Sequence, residues 1–253
     1  MPQQVSGLDA PFAALVADRP VLGGLPAAAI ALDRGVVRAP AYGAAADRAL
    51  NFTLALVALL VLFPLFCLVA LAVRLSSPGP VLFRQTRVGR HPGWRDRALD
   101  PAVQGQFTIL KFRTMRNDPP GRDGWAVADD PRLTPVGAVL RRYRLDELPQ
   151  FINVLRGDMN IVGPRPERPH IFAWLDENIP GFHERKRVKP GITGLAQVRQ
   201  LEPWRVSTDD DKLRHERAKL HHDMEYIRAK SVPFDLAILA RTAGALVFRR
   251  IGP

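Results

Sequence analysis

The chain has a single cysteine, Cys67, among 253 residues. An internal disulfide is therefore excluded, and a thiol set in an apolar run is expected to be buried and inert. No Cys/His cluster has the spacing of a zinc site, and the histidines, including adjacent His221 and His222, read as surface residues. A Gly-rich Walker loop and a GxGxxG turn are both missing, which speaks against an ATPase or a Rossmann dinucleotide site. Helix-turn-helix, zinc-finger and aromatic RNA-binding signatures are missing too, so nucleic acid is not expected as a partner. The basic start of a secretory signal is absent, since the first basic residue is Arg19. No internal repeat is found. Acidic residues are in deficit: 36 Lys and Arg face 25 Asp and Glu, for a net charge of +11. That excess predicts an anionic partner, such as phospholipid or a phosphorylated substrate. With 47% apolar residues, the chain can build a core; its length suits one main domain and an appendage.

Residues 1–46, rich in Ala, Gly and Pro and without periodicity, read as a flexible N-terminal extension. Then "ALNFTLALVALLVLFPLFCLVALAV" (49–73) runs without a charge. A straight helix of that length would reach about 37 Å at about 1.5 Å per residue, enough for a bilayer core. Two features oppose a spanning helix. Pro64 near its middle removes a backbone donor and breaks or kinks the helix. Arg48 and Arg74 flank both ends, whereas a spanning segment usually carries its positive charge on one side. The residues alone leave a spanning helix and a re-entrant helix-break-helix both open.

Strand-like runs follow at 76–89 and at "FTILKFRTM" (107–115), where Lys111 and Arg113 would share a face. A polar loop covers 90–105, and helix is expected over 134–155 with a junction at Pro149. Further helix is expected over 167–187, interrupted at Pro180-Gly181, then over 209–230 and, amphipathic, over 234–250. The adjacent acids Asp146 and Glu147 precede the Pro149 junction; with helical phase kept, both leave the stripe of Leu145, Leu148, Ile152 and Leu155. A carboxylate there can bind Mg²⁺, attack phosphorus, or do both in turn. A solvated acidic pair is the plain alternative, and the basic residues weigh against it. Arg165 stands between two prolines in "GPRP", which preorganises a guanidinium suited to phosphate. Lys111, Arg113 and the run Arg185, Lys186, Arg187 and Lys189 add further positive charge.

In order, the segment around Pro64, "SPGPVLFRQTRVG", "KFRTM", "DPRLTPVGAVLRR", "LDELPQFINVLRGDMNIVGPRPE", "VKPGITGLAQV" and "YIRAKSVPFDLAILARTAGALV" resemble the bacterial sugar transferases. These are monotopic polyprenyl-phosphate phosphoglycosyl transferases, which start surface polysaccharide and glycan assembly. The resemblance covers about residues 47–249. It implies an α+β, mainly helical fold: a re-entrant membrane helix over 47–75 with its break at Pro64, then a cytosolic catalytic domain over 76–253 with amphipathic interfacial helices. It implies transfer of a phosphosugar from a UDP-sugar to polyprenyl (undecaprenyl) phosphate, releasing UMP, at the cytoplasmic face of the bacterial inner membrane. Asp146 would be the nucleophile that forms a phosphosugar-aspartate. Glu147 would assist at Mg²⁺ and the acceptor, with both acids as metal ligands. Lys111, Arg113, Arg165 and Arg185 would bind phosphate or nucleotide.

Several positions depart from the family. Asn51 stands where an acid is common, Lys186 where His is common, and the 90–105 loop is longer. The short extension leads us to expect the form without a multi-helix membrane domain, and a homo-oligomer stays open. Two other functions fit the charge: a glycosyl transferase that releases UDP, and a basic, membrane-tethered interaction module.

Overall fold

The computed structural model describes residues 43–90, 105–116, 130–199 and 208–247, all in one compact unit. The 90–105 loop and the extension thus lie almost wholly outside the described residues.

Helix begins a little before the apolar run. α1 spans Ala44–Val61 and α2 spans Phe63–Ser76, with Leu62 between them at φ −88° and ψ 3°. The break therefore falls just ahead of Pro64, which occupies the first turn of α2. The reason is local: proline lacks the N–H that would bond Leu60, and its ring crowds that carbonyl, so the disruption is felt upstream while proline itself suits a first turn. Around this junction the apolar side chains are bare: Leu60, Val61 and Phe63 are 68%, 71% and 63% exposed. Cys67 also faces outward, not inward as expected, because the core side of α2 is taken by Val69 and Val73.

Both outer ends of this helix pair return to the same domain. At the start of α1, Arg48 donates to Val154 O and Leu155 O, at 2.6 and 2.5 Å, and Asn51 Oδ1 accepts from Ile161 N at 2.8 Å. Asp47 accepts from Lys230 Nζ and Asn160 Nδ2, each at 3.0 Å. The acid of the opening helix is thus one turn before Asn51, whose amide bonds Asp47 O at 2.8 Å. At the end of α2, Val69 and Val73 pack with Phe112 and Leu140.

β1 (Leu82–Val88) and β2 (Gln106–Phe112) pair antiparallel, Leu82 opposite Phe112 and Val88 opposite Gln106. α3 (Pro135–Arg142) begins at Thr134, whose hydroxyl accepts from Gly137 N at 2.9 Å. Gly137 itself is required, since a Cβ there would lie 2.0 Å from Thr114 O. The helical stretch expected over 134–155, with its junction at Pro149, is in three pieces. Arg144 turns left-handed at φ 55°, a 3₁₀ turn holds Leu145–Glu147, and α4 runs Gln150–Arg156 after Pro149. Leu145 and Leu148 still reach the core around Phe112.

β3 (Asn160–Val162) and β4 (Gly191–Thr193) pair in parallel. Between them lie α5 (Pro169–Asn178) and a 3₁₀ segment, Phe182–Arg187, separated near Pro180-Gly181 as expected. α6 (Leu195–Arg199), α7 (Asp209–Ala229) and α8 (Val232–Val247) complete a mainly helical fold with short strands. Buried Tyr226 of α7 donates to Val162 O or Asp235, at 3.0 and 2.8 Å, tying both last helices to β3.

Arg113 does not share the exposed face with Lys111. The strand ends at Phe112, and Arg113 turns into the protein, 5% exposed, donating to Pro78 O at 2.7 Å and Ser77 O at 2.5 Å. It clamps the exit of α2, where a cation also suits the helix dipole. Arg113→Met should therefore lower unfolding stability by about 2–3 kcal/mol, read by thermal or denaturant unfolding in detergent.

Candidate active site

Three separate segments meet at Glu147: the end of β2, the Leu145–Glu147 turn, and the Gly163–Glu167 turn. Lys111 Nζ lies 2.8 Å from Glu147 Oε1. Arg165 reaches the same carboxylate with Nη2 at 2.5 Å from Oε1 and Nη1 at 3.3 Å from Oε2, and Arg144 Nη1 stands 3.8 Å from Oε1. Asp146 is placed differently. Lys111 Nζ is 4.0 Å from its Oδ2, and among the described residues no hydrogen bond is donated to its carboxylate. Both acids are only 7% exposed, so they are not the solvated pair of the plain alternative.

The two neighbours are therefore electrostatic opposites. Burial raises the Asp146 carboxyl above the ordinary carboxylate range, against the pull of Lys111. Burial acts on Glu147 too, but the Arg165 and Lys111 cations, with the Arg165 hydrogen bond, outweigh it and hold the group well below that range. Glu147 in turn strengthens the hold of Arg165 on its proton. One carboxylate is locked in ion pairs; the other keeps its lone pairs free in a cationic setting.

Arg165 is aimed by backbone bonds rather than by chance. Gly163 N donates to Thr193 O at 2.9 Å and Gly191 N to Pro164 O at 2.9 Å. Arg185 Nη2 donates to Arg165 O at 2.8 Å, Arg87 Nη1 to Pro166 O at 3.0 Å, and Val88 N to Glu167 O at 2.9 Å. Gly163 and Gly191 permit this approach, for a Cβ on Gly191 would stand 2.1 Å from Gly163 N. Arg185 is thus behind the turn, its side chain 4% exposed and paired with Asp223 at 2.7 Å. A shallow, open cleft lies beside the turn, with Arg165, Arg185, Lys186 and Phe172 in its wall. Lys186 lies 4.6 Å from the Phe172 ring centre.

Sequence reasoning missed the support from α7. Lys219 joins Glu167 at 2.5 Å and Glu216 at 3.2 Å, and Asp223 joins Arg185. Burial would raise Glu167, yet Lys219 and Arg185 hold it down to about 2. The signal was present in outline: Glu216, Lys219 and Asp223 are spaced three and four apart, on one helix face. Without the fold, that spacing reads as an ordinary solvated charge pattern.

Among the described residues no group of three or more His, Cys, Asp or Glu could cage a metal ion. The donor set fits a hard cation nonetheless, because Mg²⁺ commonly takes one or two carboxylates and completes its shell with substrate phosphate and water. Asp146, free of hydrogen bonds, is the carboxylate able to serve.

A buried carboxylate to which no hydrogen bond is donated among the described residues, an ion-paired neighbour and convergent cations thus meet in a mainly helical α+β domain. The chain belongs to the bacterial sugar transferase family, whose sequence pattern matches residues 42–249. It is 45% identical over 199 residues to a UDP-glucose:undecaprenyl-phosphate glucose-1-phosphate transferase of Escherichia coli K12, covering 77% of this chain and 39% of that protein. It is 39% identical over 196 residues to a UDP-N-acetylgalactosamine-undecaprenyl-phosphate N-acetylgalactosaminephosphotransferase of Aeromonas hydrophila, covering 77% of the chain and 42% of that protein. The chain thus spans about two fifths of these relatives. An exopolysaccharide production protein of Rhizobium leguminosarum bv. phaseoli is 41% identical over 200 residues, covering 92% of its own length.

The opposite states of the two acids give opposite stability effects. Ionised Glu147 contributes stability above its ordinary value of 4.5, lost as pH falls through its depressed one; ionised Asp146 costs stability above its ordinary value of 3.8. At pH 7, Glu147→Gln should cost about 3–5 kcal/mol by leaving Lys111 and Arg165 buried without their partner. Asp146→Asn should leave Tm unchanged or raised, and melting curves of the two variants test the pair.

Proposed function

We propose that this protein transfers a phosphosugar from a UDP-sugar to polyprenyl phosphate, releasing UMP and forming a polyprenyl-diphosphate sugar. The observation that carries this reading is Asp146: a buried carboxylate that accepts no hydrogen bond among the described residues, beside a carboxylate already neutralised by Lys111 and Arg165. The relatives' names supply the substrate classes, and they differ in the sugar, so the sugar is left unassigned.

In the first step Asp146 Oδ attacks the sugar-linked phosphorus. The new bond is Oδ–P, the bond to the UMP oxygen breaks, and UMP departs with its electron pair. In the second step an oxygen of the acceptor phosphate attacks the same phosphorus, and Asp146 leaves as a carboxylate. The acceptor is already anionic, so no general base is needed. Glu147 holds Lys111 and Arg165 beside the reacting phosphate, where their charge offsets that growing on the leaving group. Mg²⁺, held by Asp146 with Glu147 beside it, would supply Lewis-acid neutralisation of the diphosphate. Forming a covalent adduct lets the soluble donor depart before the lipid acceptor arrives.

The exposed apolar faces of α1 and α2 suit insertion in lipid, and α1 is long and apolar enough to cross a membrane. With both outer ends fastened to one domain, the pair supports a re-entrant hairpin with its tip near Leu62–Pro64. We read the catalytic domain as lying on the cytoplasmic face of the bacterial inner membrane, level with the acceptor phosphate; the bare apolar surface of α1 and α2 supports a membrane position. The relative from Rhizobium supports a role in exopolysaccharide production.

Membranes holding the full chain, given undecaprenyl phosphate and a panel of UDP-sugars, should release UMP with one or more donors. Asp146→Asn should lower that release by about 10⁴-fold or more, and chelation of divalent ions should also abolish it. Release of UDP in place of UMP would sink the proposal, as would failure to trap a phosphosugar on Asp146 when donor is given without lipid. Attack needs ionised Asp146, whose affinity for protons is raised. The acid limb of kcat/KM should therefore lie above the ordinary value of 3.8.

A further inference from the structure

At the foot of α1 lies a basic cluster that the transfer chemistry leaves unused. Arg48 sits one helical turn before exposed Phe52, where the apolar face of the helix begins. Its Nη1 and Nη2 cap the last carbonyls of α4, as a cation does at the negative end of a helix dipole. The chain leaves α4 through Gly157, at φ +91°. A methyl group on Gly157 would stand 3.5 Å from Arg48 Cζ and 3.6 Å from Lys189 Nζ. Two cations therefore face one spot over a residue with no side chain.

Among the described residues no carboxylate forms an ion pair with Lys189, which makes no hydrogen bond there either, although it is only half-exposed. Asp47, the acid that acts on it, is engaged by Lys230 and Asn160. Burial, then Arg48 and exposed Arg90, weakens the hold of Lys189 on its proton, as expected for a cation among cations.

We propose that Arg48 and Lys189, over Gly157, bind the phosphate group of an anionic membrane lipid. The proposal rests on the reading of α1 and α2 as a lipid-embedded pair, which sets this cluster at headgroup depth. An anion suits the site: two cations approach one point beside Gly157, and Lys189 offers a compact point charge with three donors. Free phosphate shares this chemistry. The neighbouring apolar face, which continues from Phe52 through Leu56 and Leu60, favours the lipid, because acyl chains have a surface to lie against.

The test uses the full chain in neutral detergent, with melting followed as short-chain phosphatidic acid, short-chain phosphatidylcholine or inorganic phosphate is added. Phosphatidic acid should raise Tm saturably and phosphatidylcholine should not. Lys189→Gln should weaken the apparent affinity about fivefold, and Lys189→Arg should restore it. Equal response to both lipids overturns the proposal, and so does a Lys189→Gln curve that matches the wild type. An equal rise with inorganic phosphate at the same concentration also overturns it, by identifying a free-phosphate site. Flotation with neutral phosphatidylcholine vesicles separates the two readings. A chain that floats without any preference for phosphatidic acid keeps the membrane hairpin and loses this site, whereas a chain that never floats loses the hairpin itself.

Discussion

The ion cluster on Glu147 is the contact on which the site depends. It draws Lys111 from β2, Arg144 from the residue before the 3₁₀ turn, and Arg165 from a loop eighteen positions further along, onto one carboxylate. Each of these charges would be costly to bury alone, and together they are mutually compensated. The consequence for chemistry lies next door. With Glu147 taking the short contacts from Lys111 and Arg165, Asp146 has Lys111 Nζ at 4.0 Å and, among the described residues, accepts no hydrogen bond at its carboxylate. A nucleophilic carboxylate needs that combination, because a fully ion-paired one would attack poorly and an isolated one would protonate.

Rigidity around the cluster comes from layers of polar contact behind it. The Gly163–Glu167 turn has its carbonyls taken by Gly191, Arg185, Arg87 and Val88, so Arg165 has little backbone freedom. Glu167, Lys219, Glu216, Arg185 and Asp223 extend that support into α7. Arg185 and Arg113 both turn their guanidinium groups into the protein: Arg113 on the carbonyls of Ser77 and Pro78, Arg185 on Asp223 and the carbonyl of Arg165.

The α1–α2 pair is attached by the same means. Arg48, Asn51 and Asp47 bind α1 to α4, β3 and Lys230, and Arg113 holds the end of α2. These ties are polar and lie at the base, while the apolar surface beyond them stays bare. Such a division keeps the bare apolar surface apart from the contacts that hold the domain carrying Glu147.

Much of this was legible in the chain itself. Asp146, Glu147, Lys111 and Arg165, singled out by charge and ordered motifs, do come together, and the apolar run, the break imposed by Pro64 and the interruption at Pro180-Gly181 follow from composition and local backbone chemistry. Such features depend on neighbours in sequence, which the sequence states directly. Which cation does what was decided only by the tertiary structure. Lys111 and Arg113 are two residues apart, yet a strand that ends at Phe112 sends one to Glu147 and the other to Ser77 and Pro78. Likewise, adjacent acids of the same type took opposite states, because burial and the distance to Arg165 and Lys111 are set by segments far apart along the chain. Charge type is written in the residue, but its partner and its solvation exist only once the chain has folded.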